Sequence, residues 1–488
     1  METTAGSYIN LWRNSAFRKL WVAQFVSSMG DWLIIGILVP TVTELSGGSS
    51  MAVAGLLVAK ILPALLLSSL VGAIIDRFPR REIMLVADGV RLLLVLLLLV
   101  VNTLWSIYLV VFLMETFSLF FWPARNALIP NIVADADVKK ANSFMYTTQQ
   151  VGMVLGLATS GAIMRGFESL VRATTTVVTQ LQFTPLIDLM NRLSPILLGS
   201  RAGYFVDSLT FILSGLMILL IHKGTERFTP HTDKPLDARE IGRDAIDSFR
   251  FLREHAELRG ILISVFIGIV GGGAIVPVGL NYIATLTGTI PFADQFPALA
   301  AFAGSQQIFI LTWMGVGMAS GAILVPRVEK RLPVKLLFPA SIATFAIGMV
   351  IFALNPWYFL ACLLAAGGGF CISMLTVTGN NYVVQHVSDE IRGRVFTTLE
   401  SVIRISLLIS MIITSPVSDF IATVLRVFLA DFGITKFLWW DLTGARLTLL
   451  LSACVVGVAA WYAFRKVYLA DSSWEQNAHT AHMGESDV

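Results

Sequence analysis

The chain has 488 residues, of which 56% are hydrophobic and only 14% are charged, against roughly 25% charged in an ordinary soluble domain. This composition excludes a soluble enzyme of ordinary build and a disordered chain, because there is too little polar surface to enclose so long a chain in water. The formal net charge of +3 is too small to indicate nucleic acid as a partner.

Twelve apolar runs follow one another along the chain, each close to the about 20 residues that a membrane-spanning helix needs. The first run is too long for a cleaved signal peptide, so we expect it to remain as the first helix. The predicted spans are 18–44, 51–75, 83–103, 105–127, 142–165, 201–222, 259–286, 306–326, 335–354, 356–382, 395–425 and 444–466.

Basic residues are concentrated in alternate connections between these spans, which predicts that both termini are cytoplasmic. A short repeat also divides the chain: Gly72-Ala-Ile-Ile ends the second span and Gly321-Ala-Ile-Leu ends the eighth, and basic residues follow both. We therefore expect a six-helix bundle over 1–222 with an outer insertion at 166–200, a cytoplasmic linker over 223–258, a second bundle over 259–466 and a cytoplasmic tail over 467–488. Short amphipathic helices are expected in the insertion and in the linker, there at Ile246–Leu252.

Three segments and one loop carry a family resemblance. The loop after the second span has Gly72, Asp76, Arg77, Arg80 and Arg81 in the spacing of the major facilitator loop signature, with Pro79 in place of its second glycine. The second copy, at 321–331, has Val325 where the acid would stand. Segments 17–32, 121–130 and 389–396 resemble the exporters related to macrolide efflux and enterobactin export, with lysophospholipid transporters as a neighbouring branch.

The resemblance implies an all-α membrane protein whose twelve transmembrane helices form two six-helix bundles. It also implies a monomeric transporter of small molecules in the lipid bilayer of a bacterial plasma (inner) membrane. The loop residues, together with Arg392 and Arg394, would form a cytoplasmic gate that latches the two halves. Their alternative role is to set the orientation of the chain in the membrane.

Ionisable residues inside the predicted spans are the candidate site, because a charge at the centre of a bilayer costs at least about 2.5–3.5 kcal/mol. Asp31 and Glu115 are the proton-coupling candidates. The alternative for Asp31 is a permanent ion pair with Lys60 or Arg91, and the alternative for Glu115 is a structural pair with Lys60. Lys60, Arg91 and Arg404 are candidate cavity charges or substrate contacts, although Arg404 is four residues from Glu400 and is expected to pair with it. Asp88, Arg91 and Asp207 are expected nearer a membrane edge than Asp31.

Five amide side chains lie in the same spans and could hydrogen-bond a cargo molecule. Each could equally bridge neighbouring helices, which is the more frequent role of such residues in membranes. They are Gln24, Gln149, Gln150, Asn380 and Asn381.

Taken together, the sequence predicts a proton-coupled antiporter that exports lipophilic or amphipathic molecules, such as multiple drugs or siderophores, by alternating access. One alternative is a lysophospholipid transporter or flippase, and another is a membrane receptor or assembly partner without transport activity. Enzyme activity, a cofactor and a metal site are not expected, because the sequence has no P-loop and no Ser/His/Asp constellation. The three cysteines, Cys362, Cys371 and Cys454, all lie in apolar runs and suit packing between helices.

Overall fold

The computed structural model describes residues 11–75, 77–134, 137–180, 185, 187–188, 200–222, 256–283, 286, 306–329, 331–386, 389–430, 436–437, 440–441 and 443–468. Asp76, the linker from 223 to 255 and the tail from 469 onward lie outside these residues. The helices within them are α1 Ser15–Leu45, α2 Ser50–Ile75, α3 Arg80–Leu97, α4 Leu104–Ile132, α5 Val138–Gln180, α6 Ser200–Leu219, α7 Ala256–Gly272, α8 Pro277–Ile283, α9 Gln306–Val328, α10 Val334–Leu354, α11 Tyr358–His386, α12 Asp389–Ala430 and α13 Gly444–Ala463. Two short strands, β1 Lys436–Phe437 and β2 Trp440–Asp441, pair antiparallel before α13.

Helix boundaries follow local sequence signals. The side chain of Asn14 accepts hydrogen bonds from the backbone N–H groups of Ala16 and Phe17 and so caps the start of α1. Thr103 and Thr443 cap α4 and α13 in the same way, through Ser106 and Arg446. Because these caps satisfy N–H groups that a helix leaves open, they fix where a helix begins even in a uniformly apolar run.

Seven predicted spans agree with the observed helices within four residues at each end, and α4 and α12 extend five or six residues beyond theirs. The other three spans differ for identifiable reasons. The third span ends at Leu97 and not at 103, because Thr103 already caps α4. The fifth continues to Gln180, so the described first part of the 166–200 insertion extends α5 and is not a separate surface helix. The seventh is interrupted: α7 ends at Gly272, a 3₁₀ turn covers Gly273–Ile275 and α8 begins at Pro277, where the glycines weaken the helix and proline lacks an N–H.

Ten helices among the described residues are long and apolar enough to cross a membrane. The two predicted spans that do not meet this measure are α3 and α5, which are nevertheless helical. Helix α3 carries Glu82, Asp88 and Arg91 besides its first two arginines, so its composition is polar for a spanning helix. Charges of this kind are tolerated in membranes where they face other helices and find partners there.

Contacts between helices divide the chain into two compact units. The first takes its described residues from Met1–Gly48, Gly55–Leu236 and Thr289–Thr312, and the second from Ser49–Ala54, Asp237–Gly288 and Trp313–Val488. In the first unit, α1 packs on α5 and α6, and α3 packs on α4 and α6. In the second, α7 packs on α12 and α13, and α10 packs on α11 and α13. When the interrupted α7 and α8 are counted as one helix, these pairs occupy equivalent positions in the two units, which agrees with the internal repeat that the sequence suggests.

Small residues allow the close packing within each unit, as expected for membrane helices. A side chain at Gly156 on α5 would collide with the backbone of Met29 on α1. In the second unit, a side chain at Gly369 on α11 would collide with the backbone carbonyl of Met314 on α9, and one at Gly271 would meet the carbonyl of Ser452 on α13 at 2.8 Å. Gly156, Gly271 and Gly369 thus mark positions where two helices pack closely.

Candidate ion-coupling site

Arg91 lies at the centre of a charged cluster in the first unit. Its side chain on α3 is completely buried, and its guanidinium donates to Asp31 on α1 at 3.3 Å, to Ser118 on α4 at 3.2 Å and to Asp88 on its own helix. The guanidinium carbon lies 4.9 Å from the ring centre of Phe121 and 4.6 Å from that of Phe211. Two carboxylates and two aromatic faces therefore compensate one buried cation.

The two carboxylates beside Arg91 differ in their access. Asp88 is buried, and its second oxygen accepts a hydrogen bond of 2.6 Å from the hydroxyl of Ser214 on α6. The side chain of Asp31 is 20% exposed and makes the longer contact to Arg91. Asp31 is therefore the more accessible of the two carboxylates, whereas Asp88 is held in place from both sides.

A second ion pair joins α2 to α4. Lys60 and Glu115 form a direct salt bridge, and each side chain is 25% exposed. A structural pair of Lys60 with Glu115 is the alternative role that the sequence analysis gives for Glu115, and the structure contains this pair. Because both side chains keep some exposure, the pair can also open without first unfolding the unit.

Asp207 on α6 is completely buried next to the turn of α1 that carries Asp31. Its Oδ1 accepts a hydrogen bond of 3.2 Å from Thr210, and its Oδ2 has no hydrogen-bond partner among the described residues. The carboxyl packs against Gly30, where a Cβ would come within 2.5 Å of Oδ1. Glycine at position 30 is therefore required for this close approach of α1 and α6.

Together with the Lys60–Glu115 pair and Asp207, the cluster around Arg91 contains more acidic than basic groups. Asp31, Asp88, Glu115 and Asp207 are acidic, while Lys60 and Arg91 are the cations paired with Glu115, Asp31 and Asp88 in the described part of this unit. Ionisation of all six groups would leave two uncompensated negative charges in a setting where unpaired charge is costly.

Two depths expected from the sequence are wrong. Arg91 and Asp207 were expected nearer a membrane edge than Asp31, yet Arg91 contacts Asp31 and Asp207 contacts the adjacent Gly30. Helix α3 begins at Arg80, three residues before the predicted span, and the long arginine side chain extends the reach further. Asp88, Ser118 and Asp207 were not site candidates, although the i, i+3 spacing of Asp88 and Arg91 on one helix face was a usable signal.

The amide candidates take different positions. Gln24 is completely buried and donates to Ser28 one turn along α1. Asn381 donates at 2.7 Å to Glu329, which directly follows α9, so both amides act within their units. Asn380 is exposed and lines a cavity in the second unit. Gln149 is half-buried on α5, and the side chain of Gln150 lies outside the described residues.

The other charged candidates are only partly described. Arg404 donates to Glu400 at 2.8 Å on the exposed face of α12, which confirms the predicted pair. In the loop motif, Gly72 lies in α2, and Arg77 and Arg80 flank the turn into α3. Arg392 and Arg394 lie in the first turns of α12, and their side chains are outside the described set.

Arg81 shows one role for the basic loop residues. It is buried and donates to the backbone carbonyls of Ile218, Leu219 and Ile221 at the end of α6, at 2.7 to 3.2 Å. Carbonyls at a helix C-terminus lack intrahelical partners and attract cations, so Arg81 holds α6 to α3 inside its own unit. In the second loop copy, Glu329, four residues after Val325, accepts a hydrogen bond of 2.7 Å from Asn381. Asp76 of the first copy lies outside the described residues.

The repeated helical units, the apolar spans and the buried charges define a multi-pass membrane transporter, and comparisons with known proteins specify the class. The sequence profile of the Major Facilitator Superfamily matches residues 20–296. This chain belongs to that superfamily, whose members are transporters and not enzymes.

Similar proteins are distant in sequence. The transporter YfiS of Bacillus subtilis is 29% identical over 159 residues, which is 32% of this chain and 38% of that protein. Macrolide efflux protein A of Streptococcus pyogenes is 22% identical over 83% of this chain and 89% of its own length. Among solved structures, a bacterial homologue of the human lysosomal transporter Spinster, in an inward-facing and occupied conformation, superposes with a TM-score of 0.68 at 14% identity, covering 93% of this chain and 97% of that one.

Proposed function

We propose that this transporter is a proton-coupled exporter of lipophilic or amphipathic small molecules that works by alternating access. The observation that carries the proposal is the charge imbalance of the cluster around Arg91, which has four carboxyl groups and two cations. A proton-coupled transporter needs a group that gains and loses a proton at a position where its charge affects the contacts between helices. This cluster supplies both the surplus carboxyls and the partial exposure of one of them.

Asp31 is the exchangeable site in this proposal. When its carboxyl is ionised it pairs with Arg91 and draws α1 toward α3; when protonated it loses that attraction, and Arg91 is balanced by Asp88 and Ser118 alone. A proton on Asp31 therefore changes the strength of a contact between two helices. Contacts of this kind can bias a two-state equilibrium between conformations, which is what coupling requires.

Glu115 with Lys60 forms the second exchangeable element. Protonation of Glu115, or an anionic group on the cargo, would release Lys60 from its salt bridge. Asp207 differs, because it is completely buried and its Oδ2 has no hydrogen-bond partner in the part of the chain that the structure describes. We assign it a proton that stays bound through the transport cycle. This assignment leaves Asp31 and Glu115 as the groups that would take up a proton to neutralise the remaining negative charge.

The direction of transport and the nature of the cargo rest on the distant relative named for macrolide efflux and on the resemblance of segments 17–32 and 121–130 to that branch. A bacterial inner-membrane location with both termini in the cytoplasm belongs to the same proposal.

The test is gradient-driven accumulation of erythromycin in proteoliposomes, with a lysophospholipid as the competing cargo. Wild-type protein should accumulate erythromycin against its gradient only when a pH difference is imposed. Asp31→Asn should retain exchange of erythromycin without net accumulation, whereas Glu400→Gln, an acid in the exposed pair on α12, should behave as wild type. Full accumulation by Asp31→Asn would overturn the coupling claim, and transport of the lysophospholipid alone would overturn the cargo claim.

A further inference from the structure

The second unit encloses a cavity that the proton-coupling proposal does not use. Its volume is about 290 Å³. Helices α7, α9, α10, α11, α12 and α13 all contribute to its wall, which includes Met314, Phe338, Phe345 and Cys371. Glycine positions on α7 and α11 create part of the space: a Cβ at Gly272 would come within 3.0 Å of Phe345.

The cavity offers almost no free hydrogen-bonding capacity. The hydroxyl groups of Ser264, Ser341 and Thr376 donate to carbonyls of their own helices at 2.7, 2.7 and 2.8 Å. None of the described residues that line the cavity is charged. A buried ionised group would therefore lack a counter-charge there, and its desolvation would oppose binding.

Burial differs between parts of the cavity wall. Phe338, Ile342 and Cys371 are buried, whereas Thr376 and Asn380 on α11 are exposed. The side-chain amide of Asn380 can both donate and accept a hydrogen bond. The cavity thus has a largely apolar wall with one polar amide at an exposed position.

We propose that this cavity binds a neutral, apolar molecule of about two fused aromatic rings that carries a single hydrogen-bonding group directed at Asn380. The size follows from the volume, because an apolar cavity of about 150 Å³ accommodates benzene and this one is nearly twice as large. The aromatic faces and the sulfur atoms of Met314 and Cys371 suit such a ring system. Binding here needs no gradient and no proton on Asp31, so it is independent of the proposed coupling mechanism.

The experiment measures saturable binding of 1-naphthol to the full chain in lipid nanodiscs by isothermal titration. Naphthalene-1-sulfonate has the same rings with a permanent charge and serves as the charged probe. Thr376→Trp places an indole at an exposed position of the cavity wall, and Thr423→Trp is the matched control. Thr423 is also an exposed threonine whose hydroxyl donates to its own helix, at 2.9 Å to Asp419, but it does not line the cavity.

Wild type and Thr423→Trp should bind 1-naphthol with equal affinity, Thr376→Trp should bind it at least tenfold more weakly, and naphthalene-1-sulfonate should not bind at the site. Thermal unfolding of both tryptophan variants verifies that they are folded, which the exposed positions lead us to expect. Absence of saturable binding to wild type, as when a lipid acyl chain fills the cavity, would overturn the proposal. Equal binding by both variants, or equal binding of the sulfonate, would overturn it as well.

Discussion

Removal of Arg91 should destabilise the protein far more than removal of Arg404, although both arginines pair with an acid on their own helix. Arg91 is completely buried between Asp31, Asp88 and two aromatic rings. In the pair of Arg404 with Glu400, the side chains are 33% and 64% exposed. The two sites therefore separate the effect of burial from the effect of losing an arginine.

The expected magnitudes follow from burial. Breaking a buried ion pair by removing one partner costs about 3–5 kcal/mol, because the remaining charge stays buried and uncompensated. An exposed i, i+4 pair contributes about 0.3–0.5 kcal/mol. Arg91→Met should thus lower the free energy of unfolding by about 3–5 kcal/mol and Arg404→Met by less than about 1 kcal/mol. Adding Asp88→Asn to Arg91→Met should recover part of the loss, because it removes one of the stranded carboxylates.

The assay is equilibrium unfolding in mixed micelles of dodecyl maltoside and sodium dodecyl sulfate, followed by tryptophan fluorescence. All variants are measured at one pH, since the stranded carboxylates can take up protons in acid. Equal, small losses for Arg91→Met and Arg404→Met would refute the view that Arg91 balances the cluster. So would a double variant that is no more stable than Arg91→Met alone.

Three further outcomes follow from the same contacts. Gly30→Ala should destabilise the protein by about 1–3 kcal/mol, because the added Cβ would overlap with Asp207. Gly89→Ala should be neutral or stabilising, because a Cβ there meets nothing within 4 Å. Thermal unfolding in nanodiscs compares the two variants. A double-mutant cycle of Lys60→Met and Glu115→Gln should give a coupling energy above the roughly 0.2–1 kcal/mol of exposed pairs and below that of fully buried pairs, because both side chains are partly exposed. A coupling energy of zero would show that the pair is not formed. Arg81→Ala should speed amide hydrogen exchange at the end of α6 while leaving α1 unchanged, and unchanged exchange there would contradict its capping role.

The helices could be predicted from the sequence because the long apolar runs and their capping residues are local signals. The spans of α1, α2, α9 and α10 differ from the structure by three residues or fewer at each end. The extension of α5 to Gln180 could not be predicted, because residues 166–180 are too polar to resemble a membrane span. Their helical state depends on continuation from an existing helix, which costs less than starting a new one.

The candidate site was predicted in its chemistry and only partly in its geometry. Asp31, Lys60, Arg91 and Glu115 were identified because charges are rare in apolar runs. Their pairing was left open, since the rotation of each helix about its axis is set by tertiary packing and is not fixed by sequence spacing. Asp207 was placed at the wrong depth for the same reason, because its level depends on the close contact of α6 with Gly30 on α1.

Infrared spectroscopy of the carboxyl C=O stretching band tests the central claim most directly, because it detects protonated carboxyl groups without any cargo. The account predicts a protonated-carboxyl band in wild-type protein at neutral pH. Asp207→Asn should remove a component that does not respond to pH, Asp31→Asn should remove a component that does, and Glu400→Gln should remove neither. A spectrum without any protonated carboxyl at neutral pH, or one unchanged in both aspartate variants, would contradict the claim that protons balance the cluster around Arg91.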